Sequence, residues 1–241
     1  MPRNNLAFAV DFPSFQDAEP LLQRLAPAVG VAKIGLELFT RDGPHAVRLA
    51  SSLGFEVFLD LKLHDIPETV ERAVANACAL GVRYLTLHTA GGRAMLERAA
   101  LRCEKENTGL RLLAVTVLTS LDRSDLASLG IDVEPAQQVL RLATLAHGAG
   151  IRGFVCSARE VAQVRQALGP HPILVTPGIR PSGTSAEDQK RVATPASAIA
   201  DGANVLVVGR PIRDAADPVA AAQAIITEID RTLARRAAGM A

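Results

Sequence analysis

Three charged residues, Asp60, Lys62 and Asp65, fall within six positions of the stretch VFLDLKLHDIPET, residues 57–69. Side chains two apart on a strand share a face, so Asp60 and Lys62 should point one way and Leu59, Leu61 and Leu63 the other. Pro67 has no N–H to give a ladder and is expected to stop the strand. One carboxylate and one ammonium would then stand at a strand's carboxyl end, with a second carboxylate on the loop that follows. Charges that close must be paired or functional, because burying one alone is costly. Flanked by carboxylates, Lys62 stays an ammonium. That makes it a poor Schiff-base nucleophile, a role that needs the neutral amine, and a good proton donor to a carbanion forming beside it. Lys33 and Asp11, near the ends of earlier apolar runs, would widen the set. The plainer reading is a salt-bridge network tying strands together, yet buried ion pairs stabilise less well than apolar packing.

A second constellation suits an anion. Gly209 and Arg210 follow the apolar run VLVV, and TPGIRP spans residues 176–181. Glycine lets backbone N–H groups approach phosphate, and arginine grips it with two parallel hydrogen bonds. Each signal alone is weak, since Gly-Arg pairs are common and Arg180 could lie on the surface. Gln189 would add an amide donor; by itself it reads as an ordinary surface residue.

The elements that must position these groups alternate along the whole chain. Strand-like runs cover residues 6–10, 32–35, 55–61, 84–88, 112–117, 153–156, 173–175 and 205–208. Helical patterns follow each: one seeded near Ser14, then residues 44–53, 68–80, 93–106, 134–149, 158–168, 194–201 and 218–236. Crossovers of that length imply parallel strands. Eight such units in 241 residues suggest one (β/α)8 TIM-barrel domain spanning the chain, with residues 235–241 a frayed tail. An open doubly wound sheet is the alternative, because periodicity does not report closure. In such barrels the active site lies at the carboxyl ends of the strands, and the loops after strands seven and eight hold phosphate. Asp11, Lys33, Asp60, Lys62, His88, Thr116, Thr119, Pro177, Arg180, Gly209 and Arg210 all fall at those ends or just beyond them.

Composition excludes several other functions. The formal net charge is +1, with no Trp and one Tyr, so neither an electrostatic pull toward nucleic acid nor a base-stacking platform is expected. No run is long enough to span a membrane, and the start MPRNNLAFAVDF lacks a signal-peptide layout. Cys78, Cys103 and Cys156 form no CxxC pair and read as reduced thiols of a cytoplasmic protein. There is no dinucleotide fingerprint, P-loop or histidine cluster for a metal. His64 reads as a structural hydrogen bonder and His88 as a candidate site wall. His45, His147 and His171 read as surface or loop residues, and Asp122, Arg123 and Asp125 as a solvated helix start.

The run FLDLKLHDIPETV closely resembles the DxKxxDI signature of the orotidine 5′-phosphate decarboxylase family. The likeness extends to AVDFPS around Asp11, VAKIGLELF around Lys33, VTVLTS ending near Thr119, VTPGIRP around Arg180, DQKRVATP around Gln189 and VVGRPI around Arg210. The DxKxxD core alone is shared with sugar-phosphate decarboxylases and synthases of the same superfamily; six further motifs in order make the match specific. The resemblance implies decarboxylation of orotidine 5′-monophosphate to UMP with no cofactor and no metal. By analogy, Lys33, Asp60, Lys62 and Asp65 form a charged network in which Lys62 protonates C6 of the pyrimidine. It further implies a homodimer with shared sites, so that Asp65, Ile66 and Thr69 serve the partner's site. Asp11 and Lys33 would touch the ribose, Thr119 would shape the pocket, and Gln189, Gly209 and Arg210 would hold the phosphate with Pro177 and Arg180 nearby. Residues 179–184 are the candidate lid. Glu68 departs from the asparagine more usual there. The nearest rival is a magnesium-dependent sugar-phosphate enzyme on the same barrel, which would want a further carboxylate where this chain has Lys33; Glu37 is less well placed. A non-catalytic nucleotide sensor would have no need of Lys62 between two aspartates.

Overall fold

A computed structural model describes residues 2–181 and 193–238. After a 3-10 turn over Pro2–Asn5, the chain runs β1 (Leu6–Ala9), α1 (Phe15–Leu25), β2 (Val31–Ile34), α2 (Leu36–Asp42), α3 (Pro44–Ser52), β3 (Glu56–Leu63) and α4 (Pro67–Ala79). It continues through β4 (Tyr84–His88), α5 (Gly92–Glu106), β5 (Arg111–Val115), α6 (Arg123–Ser128), α7 (Pro135–Gly148), β6 (Gly153–Val155) and α8 (Val161–Leu168). It ends with β7 (Ile173–Thr176), α9 (Pro195–Ala200), β8 (Val205–Val208), α10 (Arg210–Arg213) and α11 (Pro218–Ala237). Each strand pairs in parallel with the next, and β8 pairs with β1, so the sheet closes into an eight-stranded barrel. Closure rules out the open sheet.

Local chemistry sets the helix starts. The Ser14 hydroxyl accepts from Asp17 N at the head of α1, and Asp217 accepts from Val219 N and Ala220 N at the head of α11. Asp122 and Asp125 form a reciprocal capping box on α6, which satisfies N–H groups that the first turn leaves open. Proline occupies the first turn of α3, α4, α7, α9 and α11, where its missing N–H costs nothing. Pro67 is one of these. It opens α4 rather than stopping β3, which ends four residues earlier at Leu63.

Two apolar layers follow from the two-residue period of the strands. Residues facing outward pack under the helices in one large buried cluster. Those facing inward fill the barrel: Ala7, Ala9, Val31, Phe58, Tyr84, Leu113, Val175, Val205 and Val207. Phe58 and Tyr84 meet edge to face there, with ring centroids 5.8 Å apart. The barrel is therefore closed from below by packed side chains. Two positions further along the strands, the same inward parity brings up Asp11, Lys33, Asp60, Thr86, Val115, Pro177 and Gly209. The core layer and the polar layer above it share one alternation.

Three expectations need correction. The fifth strand ends at Val115, not residue 117, and the Thr116 hydroxyl donates to Val155 O at 2.9 Å. A separate helix, α2, precedes α3 and carries Glu37 in its first turn. The last helix runs one residue past the expected 236, to Ala237, and Arg236 Nη1 donates to Ile199 O at 2.9 Å. Among the described residues no helix is long and apolar enough to cross a membrane.

Candidate active site

A cavity of about 270 Å³ opens at the carboxyl ends of the strands. Its apolar floor is the top of the barrel core, with Ala9, Phe58, Val115, Val155, Val175 and Val207. Charged groups stand on one wall: Asp11, Lys33, Asp60 and Lys62. Pro177, Gly178 and Arg180 of the loop after β7, with Gly209 and Arg210 after β8, complete the lining together with Thr119 and Leu118. β7 lies four strands from β3 around the barrel, so its loop faces the charged wall across the cavity.

The charges form a chain centred on Asp60. Lys62 Nζ lies 2.9 Å from both Asp60 carboxylate oxygens. Lys33 Nζ lies 3.6 Å from Asp60 Oδ2 and 3.5 Å from Asp11 Oδ1. Burial alone would raise the Asp60 carboxyl, but the charges of Lys33 and Lys62 and hydrogen bonds from Lys62 and Thr86 outweigh it and hold it below the usual carboxylate value. Asp60 is thus a fixed anion between two cations. Asp11 is the outer, more exposed end of the chain, with 57% of its side chain accessible against 13% for Asp60.

The simple alternation expected for β3 fails at Lys62. Pairing between β3 and β4 runs Phe58 to Tyr84 and Leu59 to Leu85, and resumes only at Leu63 to Leu87. Three residues on β3, Asp60, Leu61 and Lys62, therefore oppose Thr86 alone on β4, a bulge that re-aims side chains at the barrel rim. Within it Lys62 adopts φ +50, one of two non-glycine residues with positive φ among the described residues. The other, Asn107, caps the end of α5, a position where asparagine is tolerated. For lysine the left-handed region costs about 1 kcal/mol or more, so the surroundings must impose it. The Lys62 N–H, displaced from the ladder, donates to Thr86 Oγ1 at 2.9 Å, and that hydroxyl donates to Asp60 Oδ1 at 2.9 Å. Thr86 is a site residue that the sequence reading passed over. Its signal was its inward parity on β4, two positions before His88, which becomes visible only once the register is known.

The opposite wall is built from backbone. Gly178 holds φ +76, a conformation that glycine adopts without the penalty a Cβ brings. It turns the chain so that Arg180 lies against the cavity, 9% exposed, with its N–H on Ala193 O at 3.0 Å. A Cβ on Gly209 would stand 3.2 Å from Ala9 Cβ and 3.6 Å from Asp11 Oδ2, so the chain there passes too near β1 for a larger residue to sit easily. Cys156 also borders the cavity; burial, with Glu160 nearby, pushes its thiol up to about 12, leaving it an unreactive wall.

Of the residues singled out from the sequence, Asp11, Lys33, Asp60, Lys62, Thr119, Pro177, Arg180, Gly209 and Arg210 come together around this one cavity. Asp65, Ile66 and Thr69 do not. They are exposed on this chain, Ile66 by 65%, and Asp65 and Ile66 border a shallow cleft with His64, Pro67, Ala90 and Gly91. His88 does not line the cavity; its ring lies 5.6 Å from that of His64. Gln189, and residues 182–184 of the candidate lid, lie outside the described residues.

Comparison with known proteins gives one answer. Residues 4–225 match the family described as orotidine 5′-phosphate decarboxylase / HUMPS. The chain is 56% identical over 224 residues to an orotidine 5′-phosphate decarboxylase of Anaeromyxobacter sp. (strain K), covering 93% of this chain and 97% of the relative. It is 52% identical to one of Opitutus terrae, covering 93% and 98%. Its fold superimposes on the crystal structure of orotidine 5′-phosphate decarboxylase from Lactobacillus acidophilus with a TM-score of 0.83 at 34% identity, over 94% of this chain and 99% of that one. The chain, with its closed barrel and its charged wall facing the β7 and β8 loops, belongs to the orotidine 5′-phosphate decarboxylase / HUMPS family.

Proposed function

We propose that this chain converts orotidine 5′-monophosphate to UMP and CO2, the step that yields the first uridine nucleotide in pyrimidine synthesis. The observation that carries this reading is Asp60 held as an anion between the Lys33 and Lys62 ammonium groups, on a wall that faces arginine and glycine loops suited to a phosphate. Departure of CO2 from C6 leaves an electron pair in the plane of the ring, where the ring stabilises it little. Lys62 is placed to favour that charge and then to protonate C6. Asp60, beside the substrate carboxylate, disfavours the bound ground state and holds the Lys62 side chain in place through its two contacts with Nζ. Enzymes lower barriers by roughly 8–23 kcal/mol, and a preorganised charge at the reacting carbon is the usual source of the largest share. Asp11 and Lys33 are assigned to the ribose hydroxyls, Thr119 and Pro177 to the pocket wall, and Arg180, Gln189, Gly209 and Arg210 to the phosphate. Binding energy gathered at the phosphate, remote from the breaking bond, aligns C6 with Lys62.

The same reading makes the working unit a homodimer. Asp65, Ile66 and Thr69 are exposed on one chain and close to its own β3, as residues donated to a neighbour's site would be. It also places the protein in the cytoplasm, in keeping with three free thiols. The deciding experiment is the ultraviolet change on mixing the purified chain with orotidine 5′-monophosphate, with and without EDTA. Conversion to UMP that EDTA does not slow is expected. No conversion by folded protein would sink the reading, and conversion only with added Mg2+ would return the site to the sugar-phosphate enzymes of the superfamily.

A further inference from the structure

Thr86 has no place in the catalytic roles described so far, yet it sits at the junction of the two structural oddities of the site. It occupies the same inward layer as Asp11, Lys33 and Asp60, but it is 1% exposed and does not line the cavity. Its hydroxyl contacts both partners of the central ion pair. Oγ1 accepts from the Lys62 backbone N–H at 2.9 Å, so its single proton is committed to Asp60 Oδ1, also at 2.9 Å. A hydroxyl is one of the few groups that can accept and donate at once in so small a space.

The two bonds do different things. The first supplies an acceptor for an N–H that the β3 bulge has removed from the β4 ladder, and so holds Lys62 at φ +50. The second fixes the rotation of the Asp60 carboxylate, whose oxygens both meet Lys62 Nζ at 2.9 Å. One side chain therefore sets the backbone of the lysine and the carboxylate plane that receives its ammonium. Resting on the decarboxylase reading, we propose that Thr86 is a positioning residue for the proton donor: its hydroxyl locks the bulged backbone of Lys62 to the Asp60 carboxylate and so aims Nζ at C6. It does not touch substrate. Its loss should act on the reacting geometry and leave the phosphate and ribose contacts, which lie on other strands, in place.

Three variants separate the hydroxyl from the shape. Thr86→Val keeps the shape without the oxygen, Thr86→Ser keeps the oxygen, and Thr86→Ala differs from the serine variant by that oxygen alone. Errors of about 1 Å in a reacting geometry can cost on the order of 100-fold. Expected are kcat losses of roughly 10- to 100-fold in the valine and alanine variants, with UMP binding changed less than about threefold and kcat of the serine variant near that of the unaltered chain. Should the valine variant fail to fold, the serine–alanine pair carries the comparison. Equal kcat in serine and alanine variants overturns the proposal, as does a loss of UMP binding that matches the loss of kcat. An unaltered chain that does not decarboxylate orotidine 5′-monophosphate overturns the functional reading and this proposal together. An active one with indifferent variants overturns this proposal alone.

Discussion

Lys62 and Asp60 form the closest ion pair of the charged wall, and the proposed chemistry gives them different roles. Removing the ammonium should abolish protonation while leaving the phosphate end of the cavity intact. Lys62→Ala is therefore expected to lower kcat by several orders of magnitude with UMP binding retained, measured by turnover and by product titration; near-normal turnover would remove the proton-donor assignment. Asp60 makes a pH prediction. Its carboxyl is held below the reference value of 3.8, with burial opposing and Lys33, Lys62 and Thr86 prevailing. A group whose folded value is depressed stabilises the fold above its unfolded value, and that stability is lost as pH falls through the folded value. The urea midpoint difference between the unaltered chain and Asp60→Asn should thus be constant from about pH 7 to about pH 5 and shrink only below about pH 4. A difference that vanished near neutral pH would mean that Asp60 is not held as an anion between the two lysines.

At the scale of elements, the residue types on β3 were legible but the path of its backbone was not. The spacing of Asp60 and Lys62 gave a shared face, and both do reach the cavity. They do so through a bulge with Lys62 at positive φ, which no two-residue period announces, because a bulge depends on the partner strand as much as on its own sequence. Thr86 was missed for the same reason: an inward threonine among β4 residues becomes meaningful only when register sets it against Lys62. Pro67 misled because a proline after an apolar run fits both a strand's end and a helix's first turn. The loop after β7 was read more fully, since TPGIRP carries its own conformation. Gly178 at φ +76 is its pivot, and an alanine there would cost about 1–2 kcal/mol in the left-handed region. Gly178→Ala should lower kcat/KM for the nucleotide by roughly tenfold as Arg180 leaves the cavity, a loss of about 1.4 kcal/mol in transition-state binding. An unchanged kcat/KM would take Arg180 out of the phosphate end.

At the scale of the whole molecule, the barrel gathers most but not all of the expected site residues around the cavity of one chain. Closure brings residues from β1, β2, β3, β7 and β8 to one mouth, yet Asp65, three positions from Lys62 in sequence, is turned outward with its carboxylate on Ile66 N at 2.6 Å. The Ile66 beside it is an apolar group left 65% exposed, and it borders the same cleft as Asp65. Two-fold pairing through that face would cover Ile66 and carry each Asp65 toward the other chain's cavity, as an isologous interface requires of any residue it uses. The prediction is complementation between inactive chains. Lys62→Ala and Asp65→Ala should each be inactive as homodimers. Co-expressed in equal amounts, half the dimers are mixed, and each mixed dimer carries one site with both mutations and one with neither. Roughly a quarter of the unaltered activity should return if the interface is isologous and assembly random. If Asp65 instead served its own chain's site, every site would keep one lesion and no activity would return at any mixing ratio.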